Sequence, residues 1–251
     1  MHKLVLFFLT LIASHFSVAD NHSAPKYGAL DMYACSFDKG KDMEDLKSLY
    51  GDYGEWADEN SAPDSLSYTL TPFIADLGNY DFDFVWMDRY ESYEDLGKGL
   101  QIWAENSGKF GDKMSKVITC DSQWMMTGFA VSPIKEAGDD SAALMLISCA
   151  FSDGQGWSDL AAADQKWISY LNSEGIEIEG GLYRWIPGAG WPDDNESDYV
   201  NVYVADDIVA YGRTIDKMWG GLGGVYNKIY GEIAQCDNPS IWGASAIADN
   251  S

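Results

Sequence analysis

The side chains best suited to bind a small molecule are aromatic, and the chain has 10 Trp, 15 Tyr and 10 Phe. Aromatic residues on a sheet and its covering helices can line an apolar cavity that holds a small organic ligand. The alternative is ordinary core packing, because aromatic residues bury much area and several recur here at helical spacing. The candidates are Trp86, Trp103, Tyr183, Trp185, Tyr203 and Trp219.

Arg184 is the cation most suggestive of a ligand site. It lies between two aromatic residues in LYRWI, a segment predicted to be a strand. An arginine that points inward from such a strand could hold a ligand carboxylate with its planar guanidinium. The alternative is an outward arginine that pairs with one of the many acidic side chains.

Histidine is missing from the part of the sequence that is predicted to fold, because His2, His15 and His22 all lie near the N-terminus. This inventory excludes a Ser-His-Asp or Cys-His catalytic site and a histidine-ligated haem or zinc. The chain also has no CxxC pair, no P-loop and no EF-hand spacing of its acids. We therefore expect neither a metal nor another cofactor.

The net charge restricts the partners of the protein. Formal charge is −24, from 40 acidic and 16 basic residues that are scattered along the chain. Nucleic acids and anionic membranes are bound by clustered cations, so we expect neither as a partner. A small-molecule ligand is the partner that remains, and the sequence leaves the oligomeric state open.

Residues 1–19 have the organisation of a Sec-type signal peptide. Lys3 is followed by the apolar run Leu4–Ala13 and by Ser17-Val18-Ala19, a small-x-small cleavage site. The apolar run is about ten residues long, half of what spans a bilayer. We predict cleavage near Ala19 and a soluble periplasmic or secreted protein.

The four cysteines reveal an internal repeat. Cys149 follows Cys35 by 114 residues, and Cys236 follows Cys120 by 116 residues. Trp219 follows Trp103 at the same offset of 116, and we match Tyr203 to Trp86. The sequence therefore predicts two homologous halves, residues 28–134 and 142–248, joined by a polar linker at residues 135–141.

Each half has the element order β-α-β-β-α-β, the split βαβ arrangement. Alternating segments predict strands at 31–37, 66–73, 81–87 and 124–131, and again at 143–151, 180–186, 198–204 and 241–247. The helical stripes are Leu46–Ala57, Tyr93–Trp103, Trp157–Leu171 and Tyr211–Leu222. Because one unit leaves a sheet face open, two units can pack those faces together.

This α+β order resembles the dimeric α+β barrel superfamily of ferredoxin-like proteins, in a fused form with two tandem repeats. The resemblance is architectural and covers both halves, without a motif that identifies one family. It implies that an enzyme is one option, because some relatives are oxygenases or isomerases that need no metal. Fold analogy does not by itself transmit function.

The predicted fold selects one of the three ways to pair four cysteines. In a split βαβ unit the first and last strands are antiparallel neighbours in the sheet. Cys35 lies late on the first strand and Cys120 just before the last, so these ends should meet. We predict the disulfides Cys35–Cys120 and Cys149–Cys236.

Three functions agree with the sequence. The first is an exported protein that binds a small apolar or aromatic ligand. The second is a cofactor-independent oxygenase or isomerase of the α+β barrel type, and the third is a non-catalytic structural or interaction protein. A cavity with convergent polar groups would favour the first two, whereas solid cores in both halves would favour the third.

Overall fold

Two units with the predicted element order build the described part of the chain. The computed structural model describes residues 27–76, 78, 80–131, 141–178, 180–192 and 195–249. The predicted signal peptide at 1–19 and residues 135–140 of the predicted linker lie outside the described residues, and Ser141 is the first residue of a strand.

The first unit contains four strands and four helices. In chain order they are β1 (Tyr27–Phe37), α1 (Met43–Lys47), α2 (Tyr50–Glu59), β2 (Ser65–Ile74), β3 (Phe84–Tyr90), α3 (Tyr93–Asn106), α4 (Gly108–Met114) and β4 (Ile118–Ala130). The second unit contains β5 (Ser141–Phe151), α5 (Trp157–Glu174), β6 (Gly181–Pro187), β7 (Tyr199–Ala205), α6 (Ile208–Lys217), α7 (Gly223–Tyr230), β8 (Ala234–Cys236) and β9 (Ser240–Asp249).

Eight of the described strands close into an antiparallel barrel. Their order is β7-β6-β4-β1-β3-β2-β9-β5, and β5 pairs again with β7. The units join where β4 pairs with β6 and where β2 pairs with β9. The predicted fold, two tandem ferredoxin-like repeats packed as one barrel, is confirmed.

Strand alternation divides the side chains between two environments. On β1, Leu30 and Met32 belong to the core cluster inside the barrel, whereas Cys35 belongs to a cluster beneath the helices of the first half. Successive side chains of a strand point to opposite faces, so Asp31 and Tyr33 share the helix-facing side with Cys35. The second half has its own cluster beneath α5 and α7.

Both predicted disulfides are confirmed. Cys35 pairs with Cys120, 85 residues later, and Cys149 pairs with Cys236, 87 residues later. Each bond joins neighbouring antiparallel strands, because Cys35 lies opposite Cys120 and Cys149 lies opposite Cys236 in register. In the chain-entropy account, closing a loop of this length stabilises the fold by about 4–5 kcal/mol.

The last strand differs between the halves. In the first half β4 is continuous and includes Cys120, so it begins six residues before the predicted start at 124. In the second half the strand is divided into β8 and β9 by residues 237–239. Pro239 has no N–H to donate to a neighbouring strand, which accounts for the interruption.

The second helical segment also differs between the halves. Ser92 and Asp207 cap α3 and α6 in the same way, each accepting a hydrogen bond from the backbone N–H three residues on. However, α6 ends at Lys217 and is followed directly by a π-helical segment, Met218–Leu222. In this segment Gly221 has φ 131°. Glycine adopts this backbone conformation without steric cost. Among the described residues, no helix is long and apolar enough to cross a membrane.

Candidate functional site

The first half contains a cavity of about 260 Å³ between the barrel and its helices. Strands β1 and β3 form its floor, while α2 and α3 form its roof. None of the described residues that line it is a lysine, arginine or histidine. Six aromatic side chains surround it: Tyr33, Tyr53, Trp56, Trp86, Tyr90 and Trp103.

The aromatic walls are held by contacts with one another. Tyr53 meets Trp86 edge to face with 5.3 Å between ring centroids, and Trp56 meets Trp103 in the same way at 5.0 Å. The Trp56 indole nitrogen donates to the Asn106 carbonyl at the end of α3, at 3.0 Å. These contacts fix the rings of α2 and α3 over the sheet before any ligand arrives.

Two buried carboxylates lie on the floor of this first cavity. Asp31 on β1 is directly opposite Asp88 on β3, and the two residues are 2% and 7% exposed. Directly opposed residues of antiparallel strands have Cβ atoms about 5 Å apart. The structure therefore places two acids together without a cation between them among the described lining residues.

Hydrogen bonds hold Asp88 through one of its oxygens. Its Oδ1 accepts from the Ser67 hydroxyl, from the Trp86 indole nitrogen at 3.0 Å and from the Tyr53 hydroxyl at 3.5 Å. Its Oδ2 accepts no hydrogen bond from the described residues. Asp88 lines the cavity, so one carboxylate oxygen remains available to a ligand.

Asp31 is held through both oxygens. Gln123 donates to Oδ1 at 2.9 Å, and the Tyr33 hydroxyl donates to Oδ2 at 2.7 Å. Gln123 also donates to the Tyr33 hydroxyl oxygen at 2.9 Å, which fixes the direction of the tyrosine proton. Both oxygens of Asp31 are thus fixed by hydrogen bonds, whereas Asp88 has one oxygen that accepts none from the described residues.

The environment raises the pKa of both carboxyls. Burial is the largest cause for Asp88, whose pKa rises to about 6 although Ser67 and Trp86 donate to it, and the nearby Asp31 contributes to the rise. Burial also raises the pKa of Asp31, against the hydrogen bonds from Tyr33 and Gln123. The Tyr33 pKa is raised by burial and by Asp31, so the phenol stays protonated. Both carboxyls therefore keep their protons to a higher pH than an exposed acid does.

The second half has a cavity of about 190 Å³ at the corresponding place. Its lining combines side chains from β5, β6 and β7 with α5 and α6, and most of them are aliphatic. No described lining residue is charged. Its polar side chains are Asn201, Tyr203, Thr214 and Tyr226.

A third cavity of about 510 Å³ opens inside one end of the barrel. It is lined by core residues of the closed sheet, including Trp185 and Trp242, and by loops between strands. The indole nitrogens of Trp124 and Trp191 in its lining are buried without a hydrogen-bond partner in the described structure. This space lies on the opposite face of the sheet from the other two cavities.

Solved structures show the same architecture at low sequence identity. An encapsulated DyP-type peroxidase from Mycobacterium smegmatis is 11% identical, with 89% of this chain and 94% of that chain covered and a TM-score of 0.52. The chain thus has the dimeric α+β barrel fold, with both halves of the barrel supplied by one polypeptide.

Two further matches agree with this architecture. A mutant chlorite dismutase from Candidatus Nitrospira defluvii is 10% identical, with 89% and 92% of the chains covered and a TM-score of 0.51. An anthrone oxidase-like protein is 11% identical, with 91% and 96% covered and a TM-score of 0.50. No protein-family profile matches the sequence, and no curated protein matches it. The likeness concerns the fold alone.

A haem group does not fit the first cavity. The described residues include no histidine, and all their cysteines are in disulfides, so the usual nitrogen and thiolate ligands are missing. No described group of three or more His, Cys, Asp or Glu side chains could hold a metal ion. The buried acids would also repel the carboxylates of a porphyrin.

The α+β barrel distributes the sequence-predicted ligand residues among different places. Trp86 and Trp103 line the first cavity, Tyr203 lines the second, and Trp185 lines the cavity inside the barrel. Tyr183 packs against the barrel core. Trp219 is 88% exposed, because it lies in the π-helical segment, which shifts it off the buried face of α6.

Arg184 is buried but already has a carboxylate partner inside the protein. Its Nη2 lies 2.7 Å from Asp164 on α5, and Asp164 also accepts from the Tyr230 hydroxyl at 2.8 Å. The guanidinium lies over the Tyr199 ring at 5.6 Å. Arg184 lines none of the three cavities, and its Nε and Nη1 have no partner in the described structure. It is neither a surface arginine nor a residue of a cavity wall.

Strand register corrects the match between Trp86 and Tyr203. Cys35 lies opposite Phe84, and Cys149 lies opposite Tyr199. Counting two residues along each strand from these pairs makes Asn201 the counterpart of Trp86. Tyr203 is the counterpart of Asp88 instead, since each follows by two more residues on the same face.

Sequence reasoning missed Asp31, Asp88 and Asn201. Each is a polar residue at a helix-facing position of a mainly apolar strand, in ALDMYA, FVWMDRY and YVNVYV. The alternation alone could have identified them as buried. With 40 acids in the chain, however, composition offered no means to choose these two carboxylates.

Proposed function

We propose that the protein binds a small organic cation in the first cavity. The observation that supports this proposal is the combination of six aromatic walls with two buried carboxylates and no cation among the described lining residues. A protonated or quaternary amine would pair with the Asp88 oxygen that accepts no hydrogen bond. Its body would pack against the rings.

Aromatic rings and acids favour the same kind of ligand. The face of a Trp or Tyr ring attracts a cation within about 6 Å of its centroid, with more energy where water is excluded. A carboxylate in such a place is costly to ionise without a partner. A ligand ammonium group removes that cost, whereas a ligand carboxylate adds a third negative group.

Titration with matched one-ring ligands tests the proposal. Phenethylamine is a cation at neutral pH, phenethyl alcohol is its uncharged counterpart, and 3-phenylpropanoate is an anion of similar size. We expect the amine to bind at least about tenfold more tightly than the alcohol, since one charge-assisted hydrogen bond contributes roughly 1.5–3 kcal/mol. The anion should not bind. Isothermal titration calorimetry at pH 7.5 gives the three affinities.

Two variants identify the group responsible. Asp88→Asn keeps the shape and should reduce the preference for amine over alcohol to within a few fold. Asp58→Asn removes an exposed carboxylate from the same roof helix and should leave the preference unchanged. Equal binding of amine and alcohol by the wild-type protein would overturn the cation proposal. A preference that survives in Asp88→Asn would assign it to another group.

A second candidate function is proton transfer of the isomerase type. The specific observation is the buried Asp88 carboxyl in the cavity lining, whose pKa is raised by burial to about 6, a value that suits a general base near neutral pH. Phenylacetone in D₂O would report such a base by gaining deuterium beside its carbonyl, measured by proton NMR. Exchange that is accelerated by the wild-type protein and lost in Asp88→Asn supports this function. Exchange at the buffer rate in both proteins rejects it.

We also propose that the protein acts outside the cytoplasm, in the periplasm or medium. Two disulfides are typical of proteins that fold in an oxidising compartment. Residues 1–19 would be removed during export. Mass spectrometry of the protein from the producing cell should find Asp20 as its first residue, and an intact N-terminus would contradict the proposal.

A further inference from the structure

The second cavity lacks the acids of the first and contains one polar side chain, Asn201, that has an unused oxygen. Strand register matches Asp31 to Met145, Tyr33 to Ile147 and Ser67 to Leu182. All three replacements are apolar and line the second cavity. The fourth change, Asp88 to Tyr203, removes the other carboxylate.

Asn201 is the exception. It replaces Trp86 and is 6% exposed, and it lines the second cavity. Its Nδ2 donates to the Cys149 sulfur at 3.4 Å, and a disulfide sulfur can only accept, so the amide nitrogen belongs there. Its Oδ1 is buried and has no hydrogen-bond partner in the described structure. Asn201 therefore contributes one unsatisfied acceptor at the cavity wall.

The neighbouring polar groups do not supply the missing donor. The Tyr203 hydroxyl and the Thr214 hydroxyl lie 2.7 Å apart and are hydrogen-bonded to each other. Arg184, which lies opposite Asn201 across β6 and β7, is ion-paired with Asp164 through Nη2, and its Nε and Nη1, although without a partner, make no hydrogen bond to Asn201 Oδ1. No described group donates to Asn201 Oδ1, so a donor on a molecule in the cavity would give this oxygen the hydrogen bond that it lacks.

A single water molecule suits this place poorly. A buried water usually makes about three hydrogen bonds, and most of this cavity is aliphatic. The cavity volume of about 190 Å³ is enough for one aromatic ring. A dry apolar cavity of about 150 Å³ already accommodates benzene in another protein.

We propose that the second cavity binds an uncharged one-ring aromatic molecule that carries one hydroxyl or N–H donor. The ring would pack among Trp167, Ile168, Ile178 and Met218, and the donor would reach Asn201 Oδ1. A charged ligand is excluded, because no described lining residue carries an opposite charge. This site is independent of the cation site in the first half.

Phenol, toluene and benzoate are the probes that test this site. Phenol and toluene have almost the same shape, but only phenol has a donor. We expect phenol to bind about tenfold more tightly than toluene by calorimetry, the effect of one hydrogen bond. Benzoate should not bind. Equal affinity for phenol and toluene, or binding of benzoate, would overturn the proposal.

Two variants locate the binding. Asn201→Leu has a side chain of similar size without the oxygen, so it should remove the preference for phenol while toluene still binds. Ile168→Trp should block both ligands by filling the cavity from α5. Asp58→Asn, at an exposed position that lines neither cavity, should change neither affinity. Phenol binding that survives Ile168→Trp at full strength would place the ligand elsewhere and reject this site.

Thermal unfolding keeps the result interpretable if a variant folds poorly. Phenol should raise the unfolding temperature of the wild-type protein, because the added stability grows as RT ln(1 + [phenol]/Kd). Asn201→Ser, which retains a hydroxyl acceptor at a shorter reach, should retain part of the phenol-dependent rise if the acceptor matters. A rise that is identical for phenol and toluene in the wild type contradicts the proposal.

Discussion

The two cavities occupy matching positions in the two halves but have different electrostatic character. In the first, Asp31 faces Asp88 across neighbouring strands. In the second, Met145 faces Tyr203 at the same register. The barrel, the disulfides and the capping of α3 and α6 remain alike around them. This comparison shows that the repeat preserves the framework, whereas the side chains that face each cavity determine what it can bind.

The supporting residues changed together with the acids. Ser67 and Trp86 donate to Asp88 in the first half, and their counterparts are Leu182 and Asn201. A carboxylate in the second cavity would therefore lack the donors that hold Asp88. The acids of the first cavity depend on their hydrogen-bond donors, so a carboxylate introduced alone into the second cavity would not be stabilised.

Tyr203→Asp tests that dependence with the largest expected effect. The new carboxylate would lie in an apolar cavity without donors, and we expect a loss of about 3–5 kcal/mol of unfolding free energy at pH 7. The loss should be much smaller at pH 4, where the carboxyl is protonated. Urea unfolding at the two pH values measures both quantities. A loss of unfolding free energy below about 1 kcal/mol at pH 7 would mean that the second cavity tolerates a carboxylate as well as the first does.

Trp103 and Trp219 provide a matched pair for the next test. Trp103 packs on Trp56 at 5.0 Å and on Phe110 at 6.0 Å, whereas Trp219 is 88% exposed. We expect Trp103→Leu to lower the unfolding free energy by about 2–3 kcal/mol. Trp219→Leu should stay within about 0.5 kcal/mol of the wild type. Similar losses of unfolding free energy for both substitutions would show that the π-helical segment does not make Trp219 less important for stability than Trp103.

The pH dependence of stability should distinguish the first half from the second. The folded-state pKa of Asp88 is about 6, above its ordinary value of 3.8, so the folded state favours the protonated carboxyl. This contribution is fully present below pH 3.8 and is lost as pH rises through 6. Its size is on the order of 3 kcal/mol, from about two pKa units. Unfolding of the wild type and of Asp88→Asn from pH 4 to 8 measures it.

The control for that experiment is the difference between the two proteins. Relative to the wild type, Asp88→Asn should gain stability as pH rises from 4 to 8, because it lacks the titrating group. Tyr203→Phe, at the matched position of the second half, should show a pH-independent difference. If the difference in unfolding free energy between Asp88→Asn and the wild type stays constant with pH, the Asp88 carboxyl does not contribute to the pH dependence of stability.

The smallest expected effect concerns the coupling of the two acids. Asp31 is one of the causes that raise the pKa of Asp88, after burial. Asp31→Asn should therefore move the midpoint of pH-dependent amine binding below 6, by less than one unit. In the wild type the binding should weaken as pH falls through about 6, when Asp88 gains its proton. A midpoint that moves upward in Asp31→Asn would contradict a like-charge interaction.

Much of the fold could be predicted from the sequence, because repetition supplied two independent examples of each element. The disulfides followed from the antiparallel neighbourhood of the first and last strands. The register of β7 did not follow, since matching Trp86 to Tyr203 by aromatic character placed the strand two residues out. Only hydrogen-bond pairing across β5 and β7 shows that Asn201 is the residue equivalent to Trp86.

The site could be predicted only in part, for a related reason. Large aromatic residues stand out in a sequence as candidates for a cavity wall, so Trp86 and Trp103 could be identified from the sequence. The importance of Asp31 and Asp88 depends on their being opposite each other, which is a property of strand pairing and not of either residue. Arg184 had the right environment for a ligand clamp, but Asp164, 20 residues away on another element, pairs with it.

Closure of both units into one barrel by a single chain has a consequence for symmetry. In a barrel made by two identical chains, a substitution appears at both related positions, so both cavities must change together. Here β4 joins β6 and β2 joins β9 within one polypeptide, and each half is encoded separately. The twofold relation is thus a property of the backbone alone. One cavity can acquire acids while the other loses them, and the ratio of the two sites stays fixed at any protein concentration.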